Sequence, residues 1–328
     1  MSEGYEELEV KEIEAEGLDP EKFIEEKVDE IRKIVGDAKA IVALSGGIDS
    51  STTAVLAHRA LGERLSVFFI NNGLMREGEP EQIVDVFKEL GINVKVVDAR
   101  KEFFEALKGV TDPEEKRKTI RQAFYERVLA RLIRESGAKF LLHGTILTDI
   151  EETVAGIKLQ HNVLTQVGID TEKEYGYKVI EPLKQLRKDG VRKVGRALGL
   201  PESICNRIPF PGPALAARII GEVTAEKVAL VRKATAIVEE ELKGTGAFQY
   251  LAILHEDKVT GVREGRRELG FQIEVRCWNS IDARTATPTE LPWQKLKRLA
   301  ERIVSEVPGV VSVTYNITSK PPSTIEAV

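Results

Sequence analysis

Cysteine, histidine and net charge are all scarce in this chain. Its 328 residues include two Cys and four His. Cys205 and Cys277 stand 72 positions apart, which forms neither a CxxC pair nor a zinc spacing. They read as reduced, buried thiols of a cytoplasmic protein. His143 and His161 are isolated as well. No Ser-His-Asp or Cys-His arrangement is readable, so both are expected to be structural or lid residues. Lys and Arg number 48 against 53 Asp and Glu, a net charge of −5. A molecule-wide basic field for nucleic acid is therefore excluded. No apolar run approaches the length of a membrane span. The acidic start, MSEGYEELEVKEIEAEG, lacks the apolar segment of a signal peptide. No internal repeat is present. A soluble globular chain remains, with 42% hydrophobic and 31% charged residues and enough length for two domains.

What is there is an alternation of short apolar runs and helical periodicity. After an acidic extension over 1–21, Phe23, Ile24, Val28, Ile31 and Val35 recur at helical spacing. KAIVALSGG, LSVFFINNG, INVKVVDAR, KFLLHGT and YKVIEPL each read as a buried strand running into a turn. Helices are expected over 50–62, 80–90, 113–136 and 187–199. This is an α/β pattern: a parallel five-stranded sheet with helices on both faces. In such sheets ligands bind beyond the carboxyl ends of the strands. Chemistry is thus expected in the turns 45–51, 71–76, 98–101, 143–153 and 181–188. Near 205 the character changes. RIPFPGPAL carries three prolines and suits neither a helix nor a central strand. Beyond it come a helix at 224–242, strands at 248–254, 259–263 and 271–277, a helix at 293–306 and a strand at 310–317. That is a smaller C-terminal α+β module. The expected division is 1–21 extension, 22–205 first domain and 206–328 second domain.

The segment with most chemistry is ALSGGIDSS. Gly46 and Gly47 allow a sharp turn and close approach of the backbone to a ligand. The following helix adds its positive end, while Ser45, Ser50 and Ser51 add hydroxyls, which together make a phosphate site. Ile48 lies inside the same loop, and Asp49 is placed to hold the Mg²⁺ that accompanies a polyphosphate. No Gly-Lys-Ser/Thr follows, so this is not a Walker A loop, and it is no GxGxxG fingerprint either.

SGGIDSS resembles the PP-loop of the N-type ATP pyrophosphatases. FFEALKGVTDPEEKRKTI, EPLKQLRKDGVRKVGRALGLPE, NRIPFPGPALAARIIGEVTAEK and YNITSKPPSTIEAV are similar to the ATP pyrophosphatase part of GMP synthetase, of the two-subunit archaeal-like type. The resemblance implies an adenine nucleotide α-hydrolase-like sheet and a C-terminal domain that dimerises and binds the acceptor. It implies a ligase in which MgATP adenylates XMP at O2, releases pyrophosphate, and ammonia displaces AMP to give GMP. A separate glutamine amidotransferase subunit would supply the ammonia, because nothing here supplies that domain. It implies ATP and Mg²⁺ at 45–51. It also implies nucleotide, metal or lid roles for Asp149, Glu152, Lys158, Lys188 and Asp189, with Arg192 alongside, and acceptor contacts from Arg207, Arg218, Lys320, Thr324, Ile325 and Glu326. Helix capping accounts for Asp149 and Glu152 as well.

Several stretches depart from the family pattern. The lid reads IKLQHNVLT, the acidic-basic stretch KDGVR and the ending TIEAV. GVREGRR replaces GVMGD-R. Ala214 and Ala283 stand where the family has glycine, a change that matters if φ is positive. A ligase for a different acceptor and a non-catalytic nucleotide-binding partner therefore stand beside the synthetase reading. A tRNA sulfurtransferase is disfavoured by the missing cysteine pair and basic surface.

Overall fold

A computed structural model describes residues 10–154, 176–208, 210–281 and 283–327. The chain forms two compact units that interleave along the sequence. One holds the chain up to Ile70 together with Pro80–Val97 and Tyr125–Arg207. The other holds Asn71–Glu79, Asp98–Phe124 and the chain from Ile208. The expected division was contiguous, but 71–79 and 98–124 belong with the second unit.

The first unit opens with α1 (Pro20–Val35). The Asp19 side chain accepts the N–H groups of Glu21 and Lys22, Pro20 pre-sets the first turn, and Gly36 closes the helix. Such a cap is worth about 1 kcal/mol. The five apolar residues expected to face inward, Phe23 to Val35, are all buried. Five strands follow: β1 (Ala40–Leu44), β2 (Leu65–Asn71), β3 (Val94–Asp98), β4 (Phe140–Leu142) and β5 (Lys178–Ile180). They form one sheet in the order β3-β2-β1-β4-β5. β1 pairs in parallel with β2 on one side and with β4 on the other. Its Ile41, Val42 and Leu44 are essentially inaccessible, which full burial between neighbours requires of such an apolar run. The order reverses beside β1, so the crevice between the carboxyl ends of β1 and β4 is the topological switch point. From these strands lead α2 (Ile48–Leu61) and α3 (Glu79–Glu89), and later α7 (Leu147–Val154), α8 (Lys188–Ala197) and α9 (Glu202–Cys205). The helical stretch expected over 113–136 is not uniform. It is α5 (Pro113–Gln122), a π-helical turn over Ala123–Leu129, then α6 (Ala130–Ser136). Its periodicity is helical throughout, so only the wider turn escaped notice.

The second unit contains α4 (Arg100–Leu107), α5, α10 (Ala225–Leu242) and α11 (Trp293–Glu306). Its sheet is built from β6 (Gln249–Arg263), β7 (Arg266–Asn279), β8 (Thr287–Pro288) and β9 (Val310–Tyr315). Two of the expected strands, 248–254 and 259–263, are one long strand with an irregularity between Leu254 and Lys258. The charged run HEDK hid their continuity. Glu264 and Gly265 both have positive φ and join β6 to β7 by a two-residue turn, the primed geometry that matches strand twist. β7 was expected at an exposed sheet edge. Instead it is central, with β6 antiparallel on one side and β8 and β9 on the other. Leu251, Ile253, Trp278, Ala286 and Ile325 form a buried cluster in this unit. Among the described residues, no helix is long and apolar enough to cross a membrane.

Candidate active site

The loop leaving β1 is shaped by two glycines. Gly46 has φ +77°, a conformation open to glycine at little cost. Gly47 is the N-cap of α2 and offers no side chain, so no side-chain hydrogen bond caps the helix. The first N–H groups of α2 therefore present positive ends where the chain emerges from the sheet. The serines brace the loop rather than standing apart. Ser50 Oγ lies 3.0 Å from Ser45 Oγ, accepts Ser45 N–H at 3.1 Å and donates to Gly47 O at 3.2 Å. Ser51 is fully buried, and its hydroxyl has no hydrogen-bond partner among the described residues.

Asp49 divides its carboxylate. Oδ2 accepts Lys188 Nζ at 2.5 Å, while Oδ1 is buried with no hydrogen-bond partner among the described residues. A hard, idle carboxylate oxygen beside a phosphate loop suits Mg²⁺, which binds through one or two carboxylates, substrate phosphates and water. The described residues contain no group of three or more His, Cys, Asp or Glu that could hold a metal by themselves. The Asp49 oxygen fits a metal carried in with a nucleotide, which binds through one or two carboxylates and the substrate phosphates. Lys188, 139 positions away in sequence, sits at the start of α8 and is brought onto this aspartate. Its neighbour Asp189 is exposed and pairs with Arg192 at 2.9 Å. Arg207 donates to Gly46 O at 2.7 Å, so this residue expected on the acceptor touches the loop.

The turn after β4 packs directly on that loop. A Cβ on Gly144 would come within 2.9 Å of Asp49 C and Ser50 N, so only glycine permits the approach. Asp149 Oδ2 accepts the N–H of Ile146 at 3.1 Å, a reach-back of the kind that caps a helix start. Glu152 lies in α7. Lys158 and His161 fall outside the described residues. A hydrogen-bonded chain missed in the sequence runs through this turn. Tyr125 Oη lies 3.0 Å from His143 Nε2, and His143 Nδ1 lies 3.2 Å from Thr145 Oγ1. Thr145, fully buried, donates to Glu181 Oε1 at 2.8 Å. His143 is thus not isolated. Tyr125 sits in the π-helical turn, a kind of irregularity frequent at functional sites, and nothing in the sequence marked it.

The remaining expected residues lie in the second unit. Arg218 is fully buried, 3.4 Å from both Glu326 carboxylate oxygens, with its guanidinium 4.7 Å from the centre of the Phe210 ring. Arg76 covers the same ring at 4.1 Å. Lys320 Nζ donates to Ala283 O at 2.8 Å. Ile325 is in the buried cluster, Thr324 Oγ1 donates to Glu326 O, and Gln249 donates to Glu326 Oε1 at 2.7 Å. Gln249 and Arg276 were missed. The signal for the latter was Glu274 and Arg276 at strand spacing, which places both on one face.

Two family models match this chain. The family model described as NAD synthase matches residues 19–215, and the GMP synthase C terminal domain matches 236–327. A glutamine-hydrolyzing GMP synthase subunit from Pyrococcus furiosus is 53% identical over 93% of this chain and 97% of its own. The chain belongs to this family of GMP synthase subunits. Other members resemble it to the same degree: that of Methanopyrus kandleri is 51% identical over 94% of this chain and 99% of its own, and that of Methanocaldococcus jannaschii 48% over 94% and 99%. As a member of the family, the chain is a ligase with a PP-loop ATP pyrophosphatase domain, and the fold class expected from its sequence holds.

Proposed function

We propose that this chain makes GMP: MgATP adenylates O2 of XMP with loss of pyrophosphate, and ammonia then displaces AMP. The observation that carries the reading is the loop 45–51, with an uncapped helix start beside an Asp49 oxygen that has no hydrogen-bond partner among the described residues. The O2 of the base is a poor leaving group until adenylated. The work of the protein is to hold two nucleotides in line and to neutralise the departing pyrophosphate. The N–H groups of the loop and α2 receive the β- and γ-phosphates. Lys188 holds Asp49 in place and supplies a positive charge as pyrophosphate leaves. Asp49 Oδ1 is the chain's ligand for Mg²⁺, which when bound screens the phosphate charge. Lys320, Thr324 and Glu326 receive the acceptor. Identity near one half along almost the whole chain supports reading the altered lid, KDGVR and TIEAV stretches as variation within the family.

Two finer statements belong to the same reading. Ammonia comes from a separate glutamine-hydrolysing subunit, in keeping with the names of the relatives. The second unit makes a homodimer. Val262 and Leu269 are 71% and 69% exposed and lie on the same face of the β6–β7 hairpin. Gly261 and Gly270 leave room on the opposite face for Val311. Exposed apolar side chains on a long hairpin favour a covering partner.

The test is release of AMP and pyrophosphate from MgATP and ammonium, with and without XMP. Release that depends on XMP, with GMP formed, is expected. ATP binding without stimulation by XMP would refute the acceptor assignment. Glutamine should yield product only when the partner subunit is added. A monomeric mass in solution at micromolar concentration would refute the dimer.

A further inference from the structure

Residues 321–326 have neither helix nor strand, yet polar contacts fix them along their length. Lys320 exchanges backbone hydrogen bonds with Ala286 at 2.8 and 3.0 Å. Beyond the two prolines, the Arg276 Nη1 group faces three successive carbonyls: Thr324 O at 2.7 Å, Ile325 O at 3.3 Å and Glu326 O at 3.4 Å. Arg276 is 8% exposed, and its Nε donates to Glu274 Oε1 at 2.6 Å. Glu274 is itself held by Asn316 Nδ2 at 2.9 Å and by His255 Nε2 at 2.8 Å.

This arrangement has a specific physical content. A buried ion pair is weak evidence for stability, since apolar groups of equal volume often serve as well. Its clearest use is to select one arrangement of the groups around it. A guanidinium has a planar set of donors that can face several acceptors together, and an ammonium lacks that geometry. The Arg276 contacts go to main-chain carbonyls and so fix the backbone of 324–326 independently of the contacts that the Thr324 and Glu326 side chains make. Order in the tail before binding lowers the entropy cost of recognition.

We infer that Arg276 is a positioning residue for the acceptor: it holds the carbonyls of 324–326 and so sets the tail that recognises the nucleotide to be aminated. The inference rests on the proposed reading that this tail binds the acceptor. The experiment uses the full chain with ammonium, varying XMP at saturating ATP and then ATP at saturating XMP, in Arg276→Met, Arg276→Lys and Lys320→Ala. Arg276→Met should raise the acceptor KM about tenfold or more and leave the ATP KM within about twofold. Arg276→Lys, able to satisfy fewer carbonyls, should fall between Met and the parent. Amide exchange at 324–326 should quicken in both Arg276 variants. If the acceptor KM is unchanged in Arg276→Met while Lys320→Ala raises it, the positioning role is wrong and the acceptor reading stands. If neither variant raises it, both fall. Equal rises in both KM values would mean a general loss of structure and overturn the inference. Should Arg276→Met fail to fold, Arg276→Lys decides alone, and an unchanged acceptor KM there overturns it.

Discussion

The phosphate loop of the first unit and the C-terminal tail of the second treat their polar groups in opposite ways. At the loop several groups are idle. Asp49 Oδ1 and the Ser51, Thr52 and Thr53 hydroxyls are buried without a hydrogen-bond partner among the described residues. In the tail the Lys320 ammonium, the Glu326 carboxylate and the carbonyls of 324–326 are engaged within the protein. A buried polar atom left unmade costs about 1–3 kcal/mol. On the proposed reading a nucleotide and its metal would engage the idle Asp49 oxygen, whereas the tail has its shape before any ligand arrives. The contrast separates a site built to gain contacts from one built to keep a form.

The largest effect should follow from removing the charge at the idle end. Asp49→Asn keeps the volume and the α2 packing but loses the proposed metal ligand and the Lys188 ion pair. Turnover should fall by about a hundredfold or more, with little change in the melting curve. Pyrophosphate release and a thermal melt read the two quantities separately. Turnover near the parent level would remove Asp49 from the metal site and weaken the contrast.

At the tail the corresponding test is acid. Burial raises the Glu274 pKa, but hydrogen bonds from His255, Asn316 and Arg276 outweigh it and hold the carboxyl at about 2, below its ordinary 4.5. A carboxyl depressed by folding contributes stability that is complete above the unfolded value and is lost as pH falls through the folded value. The window is therefore pH 4.5 down to about 2. The contribution is on the order of 3 kcal/mol at most. Denaturant titrations at pH 6 and pH 3 should show Glu274→Gln costing more at the higher pH and less than half as much at the lower. Parallel curves would mean the carboxylate carries no such share.

Lys320→Ala probes the same end through the proposed acceptor. It should raise the acceptor KM by about tenfold and the ATP KM much less. Equal changes in both would argue that Lys320 serves the fold through Ala283 rather than the acceptor.

The two ends also differ in how legible they were. The loop is local: glycines, serines and an aspartate within seven positions carry the proposed phosphate site, and the apolar runs around it declare the parallel strands that the structure shows. Lys188 ends a turn that the strand pattern marked, its role came by resemblance, and its pairing with Asp49 spans 139 positions. The tail was readable as a motif, but not what holds it. Arg276 and Gln249 lie on strands whose alternation shows sidedness and not which distant segment that side meets. The chain from Tyr125 to Glu181 was hidden for the same reason, with a π-helical turn that periodicity does not distinguish from an ordinary helix.

The smallest effect concerns the two alanines that stand where the resembled family has glycine. Both keep the left-handed backbone, with φ +55° at Ala214 and +58° at Ala283. That conformation costs a non-glycine residue about 1–2 kcal/mol. Replacing either by glycine relieves it, at an entropic cost of about 0.5–1 kcal/mol. Burial then decides the sign. Ala214 is 3% exposed, and loss of its methyl costs about 0.8 kcal/mol more, so Ala214→Gly should be near neutral. Ala283 is only partly buried, so Ala283→Gly should stabilise by about 0.5 kcal/mol, a rise in melting temperature of about 1–2 °C. The Ala283 carbonyl accepts Lys320, which gives this variant a second reading. A higher melting temperature with a raised acceptor KM would show that the strain is kept to hold Lys320 in place. A higher melting temperature with KM unchanged would place the rigidity of the tail wholly on Arg276 and the Ala286 bridge. A lower melting temperature would mean the alanine methyl makes contacts worth more than the strain it imposes.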